Sequence, residues 1–108
     1  MKLSDIHIRD PFVLCENKTY YLYGTRAENF GTKTSGFDVY TSRDLENWSN
    51  AKPVFDSEKF GLNKDVNWAP EVHKFNNKYY IFATFTLENN NRATFSLVGD
   101  TPRTANSF

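Results

Sequence analysis

Short apolar runs of three to six residues alternate with polar connections along the whole chain. The runs are rich in Phe, Tyr, Val and Ile, which favour strands, and they fall at 12–15, 20–24, 37–42, 53–55, 72–75, 79–84 and 93–98. No window of eleven residues places apolar side chains at the spacing of an amphipathic helix. The pattern therefore predicts an all-β chain with almost no helix.

One stretch of this pattern occurs twice, because the segment 9–25 returns as 68–84 without a gap between its proline and its threonine. Six of 17 positions are identical: Pro11/Pro70, Val13/Val72, Asn17/Asn76, Tyr20/Tyr79, Tyr21/Tyr80 and Thr25/Thr84. In each copy an Asn-bearing connection, at 16–19 and at 76–78, joins two apolar runs, which predicts a β-hairpin because Asn tolerates the positive φ of tight turns. Self-similarity at a fixed period is typical of arrays and propellers.

The runs group into two units of β-propeller type, whose blades are four-stranded antiparallel sheets packed face to face. We place the first blade at about 8–56 and the second at about 66–108, where it lacks a fourth strand, so that 1–108 forms a partial propeller domain. Propellers close with about four to eight blades. We therefore expect the chain to belong to a longer protein, or to be completed by other copies or a partner chain.

Several local expectations follow from the same pattern. The central runs 20–23 and 79–82 are apolar at every position, which predicts strands covered on both faces. The polar segment 43–48 predicts a turn anchored by Trp48, and Cys15 is expected to be a small buried side chain within its strand. The connections 26–36 and 56–67 are long for hairpin loops, which indicates a functional rim.

Composition narrows the possible partners. Thirteen Lys and Arg residues balance thirteen Asp and Glu residues without a block of like charge, which argues against nucleic acid and anionic membranes as partners. His7 and His73 lack the spacing of a metal pair, and no phosphate-binding glycine loop is present, so we expect neither a metal nor a cofactor. Without a signal-like apolar run near Met1, a cytoplasmic location is the default expectation, with secretion left open.

Asp10 is the first candidate for chemistry. The first strand of every propeller blade lines the central channel, so a carboxylate where that strand starts faces the axis and converges with those of other blades. Glycoside hydrolysis with inversion uses two such carboxyl groups, about 6.5–9.5 Å apart. Pro11 is expected to hold Asp10 in extended geometry, although Asp-Pro is also a common way to begin a turn.

Three motifs in order resemble glycoside hydrolase family 43: IRDPFVL with YYLYGT, YTSRDLENW, and WAPEVHKFNNKYYIFAT. The resemblance spans nearly the whole chain and implies a five-bladed propeller that cleaves arabinose- and xylose-containing polysaccharides. It also implies that Asp10 is the general base. The general acid and the Asp that tunes its pKa come from later blades, so the resemblance implies an N-terminal portion that is inactive when alone.

Three more residues near the channel are candidates for substrate binding. Trp68 is expected either to stack on a sugar ring or to pack between blades. Glu71 is expected to act as a substitute acid, as a hydrogen-bonding group for substrate or structure, or as a structural carboxylate. Arg9 either pairs with a carboxylate, such as that of Asp10, or is solvated. His73 is expected to be a core residue, and Asp65 either reaches the rim or caps a turn.

Two functions remain open at this point. The first is a family 43-like glycosidase acting on a carbohydrate substrate. The second is a non-catalytic β module that binds sugars or a protein partner through its aromatic rim. In either case the face of the second blade that a third would cover is expected to be apolar, and to associate with the remaining blades or with another copy.

Overall fold

The computed structural model describes residues 1–26, 36–55, 68–87 and 91–105, without the side chains of Arg26, Trp68 and Thr86. These ranges contain seven β-strands and one 3-10 turn, joined by turns and short connections. The turn is Leu3–Asp5, and the strands are β1 (Ile8–Glu16), β2 (Thr19–Arg26), β3 (Phe37–Ser42), β4 (Lys52–Phe55), β5 (Trp68–Phe75), β6 (Lys78–Thr86) and β7 (Arg92–Gly99). The predicted all-β class is confirmed. Within these ranges, no helix has the length and apolar character needed to cross a membrane.

The strands form two antiparallel sheets, one in the order β1-β2-β3-β4 and one in the order β5-β6-β7. The hairpins β1–β2 and β5–β6 close through two-residue turns at Asn17-Lys18 and Asn76-Asn77, where φ is 51°, 62°, 48° and 62°. Positive φ at both central residues is the geometry that matches the twist of the flanking strands, and Asn accepts it at low cost. The Asn residues that the repeat conserves therefore set the two turns.

The repeat is also conserved in strand register. In β1 the pairing with β2 shifts between Arg9 and Phe12, and in β5 the pairing with β6 shifts between Trp68 and Glu71, which are the matching positions. Such a bulge inserts extra residues into one strand and turns a side chain to a new direction. The two copies of the motif are thus two copies of one structural unit.

The two sheets pack face to face around an apolar core. The first sheet contributes Tyr21, Tyr23, Phe37, Val39, Val54 and Phe55, and the second contributes Val72, Ile81, Ala83, Phe85 and Leu97. In β2, β3 and β6 alternate residues point to this interface, as the two-residue period of a strand requires. Face-to-face packing of consecutive sheets is the arrangement of propeller blades.

The opposite face of the first sheet is covered by the N-terminal segment and by the turn that follows β3. Leu22, Tyr40 and Trp48 are buried there, and Ile6 and Ile8 pack against them. The prediction of an anchoring Trp48 is confirmed, and its indole Nε1 donates to the carbonyl of Leu45 at 3.2 Å. Within that turn the Asp44 carboxylate accepts backbone N–H groups of Asn47 and Glu46, which hold its pKa well below the usual range.

The burial predictions for the segment 79–82 and for Cys15 are wrong for the same reason. The segment 20–23 is covered on both faces as predicted, but in 79–82 the side chain of Phe82 is 43% exposed because no described element packs on that face of the second sheet. Cys15 is exposed because the N-terminal segment covers the faces of β2 and β3 but not that of β1. The loop predictions and the boundary between the two units lie largely or wholly in 27–35 and 56–67, outside the described residues.

A polar cluster joins the turn ends of the two sheets. The Glu16 carboxylate of β1 accepts a hydrogen bond from Lys74 Nζ of β5 at 2.6 Å and another from the Tyr79 hydroxyl of β6. The Glu16 side chain is only 17% exposed. The hydrogen bonds from Lys74 and Tyr79 lower the pKa of Glu16, and the bond to Glu16 raises the pKa of Lys74.

This cluster predicts how stability depends on pH. Because the native pKa of Glu16 lies below its ordinary value of 4.5, the contribution of the cluster is complete above that value and is lost as pH falls through the lowered pKa. We expect Glu16→Gln to cost about 1 kcal/mol at pH 7, and to reduce the loss of stability between about pH 5 and pH 3. Urea unfolding at several pH values checks this.

Glu46→Gln is the matched control, since Glu46 lies exposed in the turn after β3. It should leave both the stability and its pH dependence unchanged. An equal acid sensitivity in Glu16→Gln and wild type would contradict the assigned role of the cluster.

Candidate active site

Asp10 lies at the bulge near the start of β1, with its side chain exposed. Its φ is 52°, in the left-handed region. The other described non-glycine residues with positive φ all lie in turns: Asn17, Lys18, Leu45, Asn76 and Asn77. Asp10 is therefore the one described residue that adopts this conformation within a strand.

The extended geometry predicted for Asp10 from the following proline is wrong. The bulge overrides the influence of Pro11, because the chain must absorb the register shift between Arg9 and Phe12. Ala69, the repeat counterpart of Asp10, is not among the described residues with positive φ. Left-handed geometry costs most residues other than glycine about 1–3 kcal/mol and costs Asp and Asn less, and backbone outliers of this kind cluster at functional sites. Positive φ at the bulge thus distinguishes the first copy of the repeat, which carries Asp10, from the second copy, which carries Ala69.

Arg9 is exposed and is paired across the strands with Thr25. Among the described side chains no ion pair joins Arg9 to Asp10. The alternative that Arg9 pairs with a carboxylate from elsewhere stays a prediction, as does its role in substrate binding.

Glu71 lies just after the second bulge, on the open face of the second sheet. Its Oε1 is 2.8 Å from Nε2 of His73, two residues further along β5. The two side chains are 57% and 52% exposed. The expectation that His73 is a core residue is therefore wrong, because β5 turns it toward the same uncovered face as Phe82.

The inner strands β1 and β5 lie side by side and point the same way. Two contacts join them. The Phe12 ring of β1 lies 5.7 Å from the His73 ring of β5, and further along both strands Glu16 of β1 forms an ion pair with Lys74 of β5. Asp10 and the start of β5 consequently lie toward one end of the sheets, and the polar cluster around Glu16 lies toward the other. An exposed carboxylate at that end suits binding of a hydroxyl-rich ligand and proton transfer.

Trp68 begins β5, where its backbone pairs with Thr84. Its side chain and Asp65 lie outside the described part of the structure, so stacking on a sugar and packing between blades both stay open for Trp68.

Over the described ranges there is no group of three or more His, Cys, Asp or Glu side chains placed to hold a metal ion. Reasoning from sequence missed the Glu71–His73 pair, although the spacing of two residues on a strand signals a shared face.

Comparison with known proteins identifies the family. The model of glycosyl hydrolases family 43 matches residues 4–107. The extracellular endo-alpha-(1->5)-L-arabinanase 1 of Bacillus subtilis is 25% identical over 103 residues, which cover 87% of this chain and 30% of that protein. The chain thus spans less than a third of the length of this curated relative.

Solved structures of similar enzymes have the same fold as this chain over the part that superposes. The endo-arabinase of Bacteroides thetaiotaomicron superposes with a TM-score of 0.76 at 31% identity, over 96% of this chain and 35% of that one. A thermostable family-43 glycoside hydrolase superposes with a TM-score of 0.73 at 33% identity, over 88% of this chain and 30% of that one. The two stacked sheets are blades of the propeller of these enzymes, and the chain belongs to glycosyl hydrolase family 43.

Proposed function

We propose that the natural-length protein containing this chain hydrolyses glycosidic bonds in arabinose-containing polysaccharides or oligosaccharides, with Asp10 as the general base. One observation carries the proposal: the exposed carboxylate of Asp10 lies at a bulge with positive φ near the start of β1, in a chain that belongs to a family of glycoside hydrolases. Evolution tolerates such strain where the geometry is needed for chemistry.

In the proposed mechanism the Asp10 carboxylate takes a proton from a water molecule as that water attacks the anomeric carbon. A carboxylic acid on the other side of the bond protonates the leaving oxygen, and configuration inverts. We propose that this acid lies in the longer protein, outside 1–108. The isolated chain would then lose the factor of about 10²–10⁴ that general-acid assistance supplies.

The proposed substrate class follows the names of two relatives, which are 25% and 31% identical to this chain. One is named as an endo-arabinanase and the other as an endo-arabinase, so we favour arabinan and its oligosaccharides over xylose-containing substrates. Trp68, Glu71 and Arg9 are the proposed substrate-binding residues. The curated relative is named as extracellular, which does not support the default of a cytoplasmic location, and we propose that this protein is secreted.

The test is hydrolysis by the purified natural-length protein. We expect new reducing ends from arabinan and from α-1,5-linked arabino-oligosaccharides, with slower or no release from xylo-oligosaccharides. Binding of these sugars without any hydrolysis would contradict the enzymatic proposal and favour a non-catalytic carbohydrate-binding module.

A further inference from the structure

Gly24 of β2 lies very close to the beginning of β1. A Cβ atom at this position would come within 2.6 Å of Cδ1 of Ile8, 2.8 Å of Cβ of Ile8 and 3.0 Å of the carbonyl oxygen of Arg9. Carbon atoms in van der Waals contact lie about 3.5–4.0 Å apart. A glycine within a strand often marks such a close approach of another backbone. A larger residue therefore fits at this position only if β1 moves away.

The backbone that Gly24 contacts is the one that sets the conformation of Asp10. The carbonyl of Arg9 belongs to the planar peptide unit that joins Arg9 to Asp10, and the angle φ of Asp10 describes the rotation next to that unit. This angle is 52°, within the bulge between Arg9 and Phe12. A methyl group at the position of Gly24 would press on this peptide unit, so relieving the contact would turn or shift the Asp10 carboxylate.

The start of β1 has little room to move on this face of the sheet. The side chain of Ile8 packs against the buried cluster of Leu22, Tyr40 and Trp48. The segment that precedes it is held to the same cluster, because the backbone N–H of Trp48 donates to the carbonyl of Met1 at 2.7 Å. The Ile8 side chain therefore cannot simply swing aside to accommodate a methyl group, and the backbone at Ile8 and Arg9 must shift.

The repeat supports the link between the glycine and the bulge. In the second copy Ala83 takes the position of Gly24, and Ala69 takes the position of Asp10. Ala83 is buried in the core between the sheets, and Ala69 is not among the described residues with positive φ. The copy with glycine thus has the left-handed bulge residue, and the copy with alanine does not.

We propose that Gly24 is a positioning residue for the reaction. Because it carries no side chain, the peptide unit between Arg9 and Asp10 can lie against β2, and this sets the direction of the Asp10 carboxylate. The inference rests on the proposed function, because it requires Asp10 to be the general base. Gly24 acts through the backbone of β1 and touches neither the sugar nor the attacking water. Its replacement therefore lowers kcat and leaves KM nearly unaltered.

The experiment is steady-state hydrolysis of arabino-oligosaccharides by the natural-length protein. Gly24→Ala should lower kcat about 10–100-fold with KM within about threefold of wild type, since a displacement of about 1 Å can cost a reaction about 10²-fold. In the Asp10→Asn background, Gly24→Ala should lower kcat by less than about twofold, because it acts only through that carboxylate. A merely structural role would lower kcat in both backgrounds alike. Wild-type kcat in Gly24→Ala, or losses that multiply in the double variant, would overturn the proposal.

A second pair of variants moves the free space from β2 to β1. Ile8→Gly removes both Ile8 atoms that a Cβ at the position of Gly24 would meet, and leaves only the carbonyl oxygen of Arg9 at 3.0 Å. Adding Gly24→Ala to Ile8→Gly should therefore lower kcat by no more than about threefold, because a small shift of β1 now suffices. This comparison decides the matter even if Gly24→Ala alone does not fold. A further loss of about tenfold or more would contradict the proposed role.

Leu22→Val is the matched control. Leu22 lies two residues before Gly24 on the same face of β2, where it is buried and pairs with Val13, away from Asp10. The substitution should lower the urea midpoint of unfolding, because it removes a buried methylene group. It should leave kcat and KM within about twofold of wild type, since the backbone of β1 beside Asp10 is untouched.

The wild type and Asp10→Asn separate this inference from the proposed function. If the wild type hydrolyses the sugars and Asp10→Asn does not, while Gly24→Ala retains kcat, the inference alone fails. If the wild type does not hydrolyse them, or Asp10→Asn has ordinary turnover, both fail. Loss of kcat in each single variant, without a further loss in the double variant, supports both.

Discussion

Asp10→Asn should lower kcat of the natural-length protein by a factor of about 10²–10⁴, which is the usual contribution of a general base. The amide has nearly the shape of the carboxylate but cannot take a proton from water at neutral pH. Asn also tolerates the left-handed geometry that Asp10 adopts at φ 52°. The free energy of unfolding should therefore stay within about 0.5 kcal/mol of wild type, as measured by urea unfolding beside the hydrolysis assay.

Two control variants separate an effect of Asp10 on catalysis from an effect on folding. Asp100→Asn changes an exposed carboxylate that pairs with Lys78 at the turn end of the second sheet, and it should retain full activity. Asp10→Gly should be as inactive as Asp10→Asn while unfolding no more easily than wild type, because glycine adopts positive φ without strain. Ordinary turnover in Asp10→Asn would remove Asp10 from the role of base.

Phe85→Ala should lower the free energy of unfolding by about 3–5 kcal/mol. Phe85 is fully buried between the two sheets, and its ring centroid lies 5.8 Å from that of Phe37, 5.3 Å from that of Phe55 and 5.8 Å from that of Phe95. Truncation removes these contacts and leaves a cavity that strands of two sheets cannot easily fill. Since domains of this size are stable by only about 5–15 kcal/mol, much of the stability should be lost.

Phe75→Ala is the matched control, because Phe75 ends β5 with 66% of its surface exposed. It should change the free energy of unfolding by less than about 0.5 kcal/mol. If both substitutions proved equally mild under chemical denaturation, the two sheets would not share the tightly packed core described above.

The strands and their turns could be predicted from sequence because local chemistry sets them. Phe37–Ser42 was predicted to the residue, and the hairpin turns follow from Asn17 and Asn76, whose tolerance of positive φ is intrinsic. Trp48 was correctly placed as an anchor because a large aromatic after a polar turn has one nearby apolar surface to cover. The repeat then predicted that the two units would share one architecture.

Burial on the sheet faces could not be predicted in the same way, because it depends on which element covers each face. Tyr21 and Tyr80 match in the repeat, yet the first is buried between the sheets while the second is only half-buried on the open face. Cys15 and His73 were misplaced for this reason. The left-handed geometry of Asp10 was also missed, since the register shift that imposes it is a property of the pairing of β1 with β2.

The configuration of the first sugar released tests the central claim most directly. The natural-length protein is given an arabino-oligosaccharide, and proton NMR follows the anomeric signals during the first minutes, before mutarotation mixes them. A base that activates water predicts a new reducing end whose configuration is opposite to that of the cleaved bond. A first product that retains the original configuration would contradict the account, because it requires a carboxylate that attacks the sugar itself.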